Sequence, residues 1–190
     1  MFTATTSHRL RLALMALVAV LALVAAACSD SSSAAEDLPD LSDVPGADEG
    51  AADGEIAPDF TVNTLDGTGF TLSEHLENDG RPIFLNMWAS WCPPCRAEMP
   101  DIDSAAQAHQ DVKFIGVASS DDPASAAHFA TSIDIGYSIG FDEHGVVARE
   151  YDVVGLPASY IISSDGVILE RIFGAVTEAD IDAKLEAWFS

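Results

Sequence analysis

The stretch Pro82-Ile83-Phe84-Leu85-Asn86-Met87-Trp88 runs through Ala89-Ser90 into Trp91-Cys92-Pro93-Pro94-Cys95-Arg96. A nearly continuous apolar run of this length predicts a central strand buried on both faces. The residues that follow, from Cys92 to about Gln110, predict a helix, with Pro100 expected to kink it. Two cysteines three apart at a helix start can close a small disulfide ring. Backbone N–H groups and the positive end of the helix then favour the thiolate on Cys92. That sulfur can attack a disulfide in another protein, and Cys95 can resolve the mixed disulfide.

The same cysteines admit two other readings. A structural zinc site needs four ligands, and neither a second Cys-x-x-Cys nor a His pair accompanies the first; His75, His109, His128 and His144 are scattered. An inert disulfide fits poorly between a buried strand and a helix start.

The elements follow outward from this core. Upstream, Phe60–Leu65 and Phe70–Leu72 flank Asp66-Gly67, a strong hairpin signal. Ser73 is expected to cap a helical turn through Leu76. Downstream, Val112–Ala118 predicts a strand, and Asp122-Pro123 opens a helix through about Ser132. Ser138–Phe141 predicts a short strand and Val146–Tyr151 a short helix. Ala158–Ser163 and Val167–Phe173 form a second hairpin around Asp165-Gly166. Thr177 caps a last helix with Ile181, Leu185 and Trp188 on its inner face. This order predicts an α/β domain over residues 56–190, a mixed central sheet flanked by helices with an N-terminal β-hairpin extension.

The string Trp91-Cys92-Pro93-Pro94-Cys95-Arg96-Ala97-Glu98-Met99-Pro100 resembles the thioredoxin-like fold. More narrowly, it is similar to the membrane-tethered, extracytoplasmic thiol-disulfide oxidoreductases of the TlpA/ResA/DsbE group. The resemblance spans about Ala57 to Phe189 and includes Ala57-Pro58-Asp59-Phe60, Phe84–Trp88 and Val154-Gly155-Leu156-Pro157. It implies that Pro157 is cis and lies against the Cys92–Cys95 redox disulfide. It also implies that Trp91, Leu156 and Pro157 meet a bound substrate chain. Thioredoxin carries a buried Asp six residues before its first active-site cysteine, where this sequence has Asn86, which cannot shuttle a proton. Glu98, one turn beyond Cys95, matches a glutamate of the tethered group and is the substitute. The implied catalytic set is Cys92, Cys95 and Glu98, a two-cysteine cycle with no metal and no organic cofactor. Arg96 reads as a surface cation near the thiolate.

The N-terminus carries a separate message. Arg9 and Arg11 precede Leu12–Ala27, 16 residues without a polar side chain. As a helix they would span about 24 Å, short of the ~30 Å hydrocarbon core. Residues 1–27 therefore read as an export signal. Cys28 follows Ala25-Ala26-Ala27 and resembles the lipidated cysteine of bacterial lipoproteins, although that family usually has Leu at the position of Ala25. Residues 29–55 hold nine acidic residues and no Lys or Arg, the composition of a disordered acidic tether. Together these imply an extracytoplasmic protein anchored to the outer face of the bacterial cell membrane.

The whole chain has 190 residues, 8 Lys+Arg against 31 Asp+Glu, and a formal net charge of −23. That excludes a nucleic-acid binder, which needs clustered cations for the phosphates. Residues 56–190 alone carry 22 acids and 6 bases, so neutral or basic exported chains are expected to dock near Cys92. Pro93 and Pro94 have no N–H, so within the motif the Cys95 amide alone can donate to the Cys92 sulfur. A thiolate so weakly supported predicts a reducing pair. For a reducing pair, the resemblance to the tethered group implies substrates such as the oxidised heme-binding cysteines of apocytochrome c or disulfides of copper-site assembly proteins, with electrons from a membrane redox partner. The alternative is an oxidant of newly exported thiol proteins. A peroxiredoxin would need Thr where Ala89 stands. A copper-binding lipoprotein with His144 as third ligand, or a non-catalytic one, represents the other class.

Overall fold

In the computed structural model of the chain, residues 54–190 are described. The expected export signal, the lipidated Cys28 and the acidic tether up to residue 53 lie outside the described residues. The strands are β1 Thr61–Thr64, β2 Phe70–Thr71, β3 Ile83–Trp88, β4 Lys113–Ser119, β5 Ser138–Asp142, β6 Ala158–Ile162 and β7 Ile168–Phe173. The helices are α1 Leu72–Asn78, α2 Pro93–Ala108, α3 Pro123–Ser132, α4 Val146–Glu150 and α5 Glu178–Phe189.

The apolar run decides the architecture. All six residues of β3 are buried, and successive side chains point to opposite faces of the sheet. Phe84 and Trp88 enter one cluster with Cys92, Cys95, Met99, Ile102 and Phe129. Ile83, Leu85 and Met87 enter the other, with Tyr151 and Tyr160. Each such side chain contributes about 1.5–3 kcal/mol on full burial, so this strand cannot sit at an edge. It pairs parallel with β4 and antiparallel with β6, inside a seven-stranded sheet of order β2-β1-β5-β4-β3-β6-β7. Because β3, β4 and β5 are mutually parallel, their C-terminal ends share one edge. The segments 89–92, 120–122 and 143–145 leave from that edge, where such folds build their sites.

The Asp66-Gly67 hairpin forms as expected. Asp66 accepts from Thr64 Oγ1 at 2.6 Å and from the Thr68 N–H at 3.0 Å. β1 then pairs with β5, Asn63 opposite Phe141, so the hairpin extends the sheet. Upstream, Ile56 bridges to Val167 and the Ile168 N–H donates to the Glu55 carbonyl at 2.8 Å.

One helix end differs from the expectation. Ser73 is not a cap: α1 starts at Leu72, after Thr71, whose side chain makes no capping bond. Ser73 instead gives its N–H and its hydroxyl to the Asp59 carboxylate, at 2.9 and 2.8 Å. A carboxylate from outside the helix thus satisfies an orphan first-turn N–H that a local cap would otherwise take. The other expected caps form locally. Asp122 accepts from the Ser125 N–H at 2.8 Å, and Thr177 and Asp180 make a reciprocal capping box.

Candidate active site

Cys92 and Cys95 sit where β3 hands over to α2. Cys92 is the N-cap of the helix, and the Pro pair fills the first two helical positions, where a missing N–H leaves nothing unpaired. The sulfurs form a disulfide, S–S 2.04 Å, with the Cα atoms 5.3 Å apart. Within the motif one backbone donor reaches Cys92 Sγ, the Cys95 N–H at 3.4 Å. Both cysteines are buried.

Trp91, the residue before Cys92, is 61 % exposed. Its indole Nε1 donates to the Ser120 carbonyl at 3.2 Å, and Ser120 adopts a left-handed φ of 53°, uncommon for a residue with a side chain. The neighbouring Asp121, nearly buried, accepts from both the N–H and the hydroxyl of Ser90. The loop between β4 and α3 therefore holds the two residues that precede Cys92. Sequence reasoning missed Ser120 and Asp121. Their signal was available in principle, since Ser119-Ser120-Asp121-Asp122 ends a strand parallel to β3. Arg96 lies 4.5 Å over the Phe129 ring, a cation–π contact that ties its charge to α3.

The Leu156–Pro157 peptide bond is cis. Pro157 is buried and Leu156 partly so, while Val154 is 91 % exposed. The Pro157 carbonyl accepts from the Gly174 N–H at 3.0 Å, which brings the exposed Phe173 beside this loop.

Three residues beyond Cys95 on the same helix, Glu98 is 2 % exposed. Its Oε1 accepts from Asn86 Nδ2 at 2.9 Å and its Oε2 from the Val176 N–H at 3.0 Å. Asn86 Nδ2 also donates to Ser159 Oγ at 3.1 Å. Burial pushes the Glu98 carboxyl up to about 7, against the two hydrogen bonds that favour its ionised form. A carboxyl poised there can give or take a proton near neutral pH. Ser159 and Val176 were not singled out from the sequence, and nothing in their local context marks them.

A Cys-x-x-Cys disulfide opening a helix on this sheet edge defines a thioredoxin-like thiol-disulfide oxidoreductase. The chain belongs to the AhpC/TSA family, whose model matches residues 54–171. It is 33 % identical over 143 residues to the thioredoxin-like protein YneN of Bacillus subtilis, covering 72 % of this chain and 81 % of that one. It is 28 % identical over 135 residues to the thiol-disulfide oxidoreductase ResA of Bacillus thuringiensis, covering 70 % and 76 %. Among solved structures, it resembles a secreted Mycobacterium tuberculosis disulfide oxidoreductase homologous to Escherichia coli DsbE. The TM-score is 0.59 and the identity 28 %, over 67 % of this chain and 95 % of that one.

Proposed function

We propose that the Cys92–Cys95 pair reduces disulfides in exported proteins at the outer face of the cell membrane. The observation that carries the direction is that, among the described residues, one N–H, that of Cys95, reaches Cys92 Sγ. A thiolate with one weak backbone donor gains little, so the reduced form is not specially stabilised and the pair gives up electrons readily.

In the reduced protein, the Cys92 thiolate attacks a substrate disulfide and releases one substrate thiolate. Cys95 loses its proton toward Glu98 and attacks Cys92 Sγ. That closes the Cys92–Cys95 disulfide and releases the second substrate thiolate. Two electrons pass to the substrate, and a membrane dithiol partner restores them. Trp91, Leu156 and Pro157 line the approach to the sulfurs and hold the substrate chain. Substrates of the apocytochrome c or copper-site assembly type suit this direction. The export signal at residues 1–27 and the acylated Cys28 place the domain outside the membrane on the acidic tether of residues 29–55, and the secreted relative supports that location.

Redox titration against glutathione tests the direction. A potential near that of thioredoxin supports the reducing reading, and one near the strong periplasmic oxidants makes the protein an oxidant of secreted thiols.

A further inference from the structure

The ladder between β3 and β4 ends at the Trp88–Ala118 pair, and backbone groups beyond it need other partners. The Cys92 N–H donates to the Ala89 carbonyl at 3.1 Å, closing a turn whose central residues are Ser90 and Trp91. Both are tied to the loop that follows β4. The Trp91 indole donates to the Ser120 carbonyl at 3.2 Å. Ser90 gives its N–H to Asp121 Oδ2 at 2.5 Å and its hydroxyl to Oδ1 at 3.0 Å. Both oxygens of this buried carboxylate thus engage one residue of the turn.

The loop is itself fixed on either side of Asp121. The Ser120 N–H donates to the Asp142 carbonyl, at the end of β5, across 2.9 Å. Gly145 leaves room for the Ser120 hydroxyl, which a Cβ there would meet at 2.5 Å. Asp122 caps α3. Cys92, by contrast, is held from its own helix. Its carbonyl accepts from the Arg96 N–H at 3.1 Å and its Sγ from the Cys95 N–H. The loop after β4 therefore bears on Trp91 more than on the sulfur.

We infer that Asp121 is a positioning residue for exchange with protein substrates. By holding Ser90 it fixes the turn that sets Trp91 against Ser120, and so it governs docking rather than the chemistry at Cys92. The inference rests on the reading of Trp91 as a substrate contact. An exposed aromatic ring anchors a partner best when it is already ordered, because ordering it on binding costs conformational entropy. Without the carboxylate, the N–H and hydroxyl of Ser90 turn to water, the turn loosens and the indole leaves the Ser120 carbonyl. Asparagine at this position keeps the geometry without the charge. Its carbonyl can accept from the Ser90 N–H, and its amide N–H can donate to the Ser90 hydroxyl.

Steady-state reduction of insulin and of a small aromatic disulfide by the full chain tests this. Asp121→Ala is expected to raise KM for insulin about tenfold, the size of a lost aromatic anchor, with kcat and the small-disulfide rate held. Asp121→Asn is expected to behave as the parent. In a Trp91→Ala background, Asp121→Ala should cost nothing further, because the two act through one contact. Parent KM in Asp121→Ala, an equal loss for both disulfides, or a full further loss in the Trp91→Ala background overturns the inference. If Asp121→Ala does not fold, Ser90→Ala decides. It removes one of the two bonds and should raise the insulin KM about threefold, and parent KM there overturns the inference. The position of Trp91 is read separately, from its indole N–H resonance in NMR. A resonance unmoved by Asp121→Ala overturns the positioning itself. Parent insulin KM in Trp91→Ala alone, with that resonance moved in Asp121→Ala, would instead overturn the docking reading of Trp91 and leave Asp121 as its positioning residue.

Discussion

Asn86 Nδ2 donates to Glu98 Oε1 across 2.9 Å of buried interior, joining the central strand to the active-site helix. The amide stands where thioredoxin keeps its acid, and the acid here comes from the helix instead. Its position on the helix leaves a buried carboxyl of raised proton affinity on the same element as the two sulfurs.

The first consequence is for stability. Glu98 titrates at about 7 in the folded protein, up from the ordinary 4.5. Between those values the folded state holds more protons than the unfolded one, so stability is full below about 4.5 and falls as pH rises through about 7. The loss is about 3 kcal/mol in total. Urea melts of oxidised parent protein and Glu98→Gln at pH 4.5 and pH 8 measure it. The variant should lack this component, and equal pH dependence in both would contradict the assignment.

Turnover should depend on the same group with the opposite sense. If ionised Glu98 takes the Cys95 proton, as proposed, insulin reduction should rise with pH through about 7. Glu98→Gln should lose that limb and about 100-fold in kcat, the low end of what a positioned base contributes. Quenched reactions should show mixed disulfide accumulating in the variant.

The two cysteines should fail differently. Cys92→Ser should abolish disulfide exchange. Cys95→Ser should keep the first attack and remain covalently bound to its substrate, because no second thiol closes on Cys92 Sγ. Mass spectrometry of complexes trapped in cells reads the substrates directly. Heme-binding proteins would favour cytochrome maturation, and a broad secreted set would favour oxidative folding.

Trp91 offers a test of substrate docking separate from chemistry. Its ring is largely exposed and held by Ser120. Trp91→Ala should lower kcat/KM for a protein disulfide about tenfold, as loss of an aromatic anchor does. The rate with a small aromatic disulfide should change little. Equal losses for both would mean that the tryptophan serves the cysteines rather than the substrate.

Charge should act on encounter. The domain carries 22 acids against 6 bases, so a basic unfolded substrate should react about tenfold faster at low salt than at high salt. An acidic substrate should show the reverse trend in stopped-flow fluorescence. A rate with the basic substrate that ignores ionic strength would remove the electrostatic argument.

Much of this protein is legible one segment at a time. The apolar run of β3, the Asp66-Gly67 and Asp165-Gly166 turns, the Asp122-Pro123 start and the Thr177 cap each rest on residues within a few positions of one another. Backbone sterics and local hydrogen bonds decide such features, and they act within a segment. Cys92 and Cys95 belong to the same class, since their spacing and the helix start are local facts. Ser73 shows where local reading ends: its hydroxyl fits a cap, but Asp59, fourteen residues upstream, claims it. The chemical setting of the site is wholly of that second kind. Whether Glu98 is solvated or buried depends on Asn86, Ser159 and Val176 arriving from three other segments. The hold on Trp91 depends on a loop that follows a different strand. Composition and spacing determined the sulfurs, the order of elements and the charge. Tertiary structure decided the proton affinity behind the sulfurs, because desolvation by distant residues has no local signature in the chain.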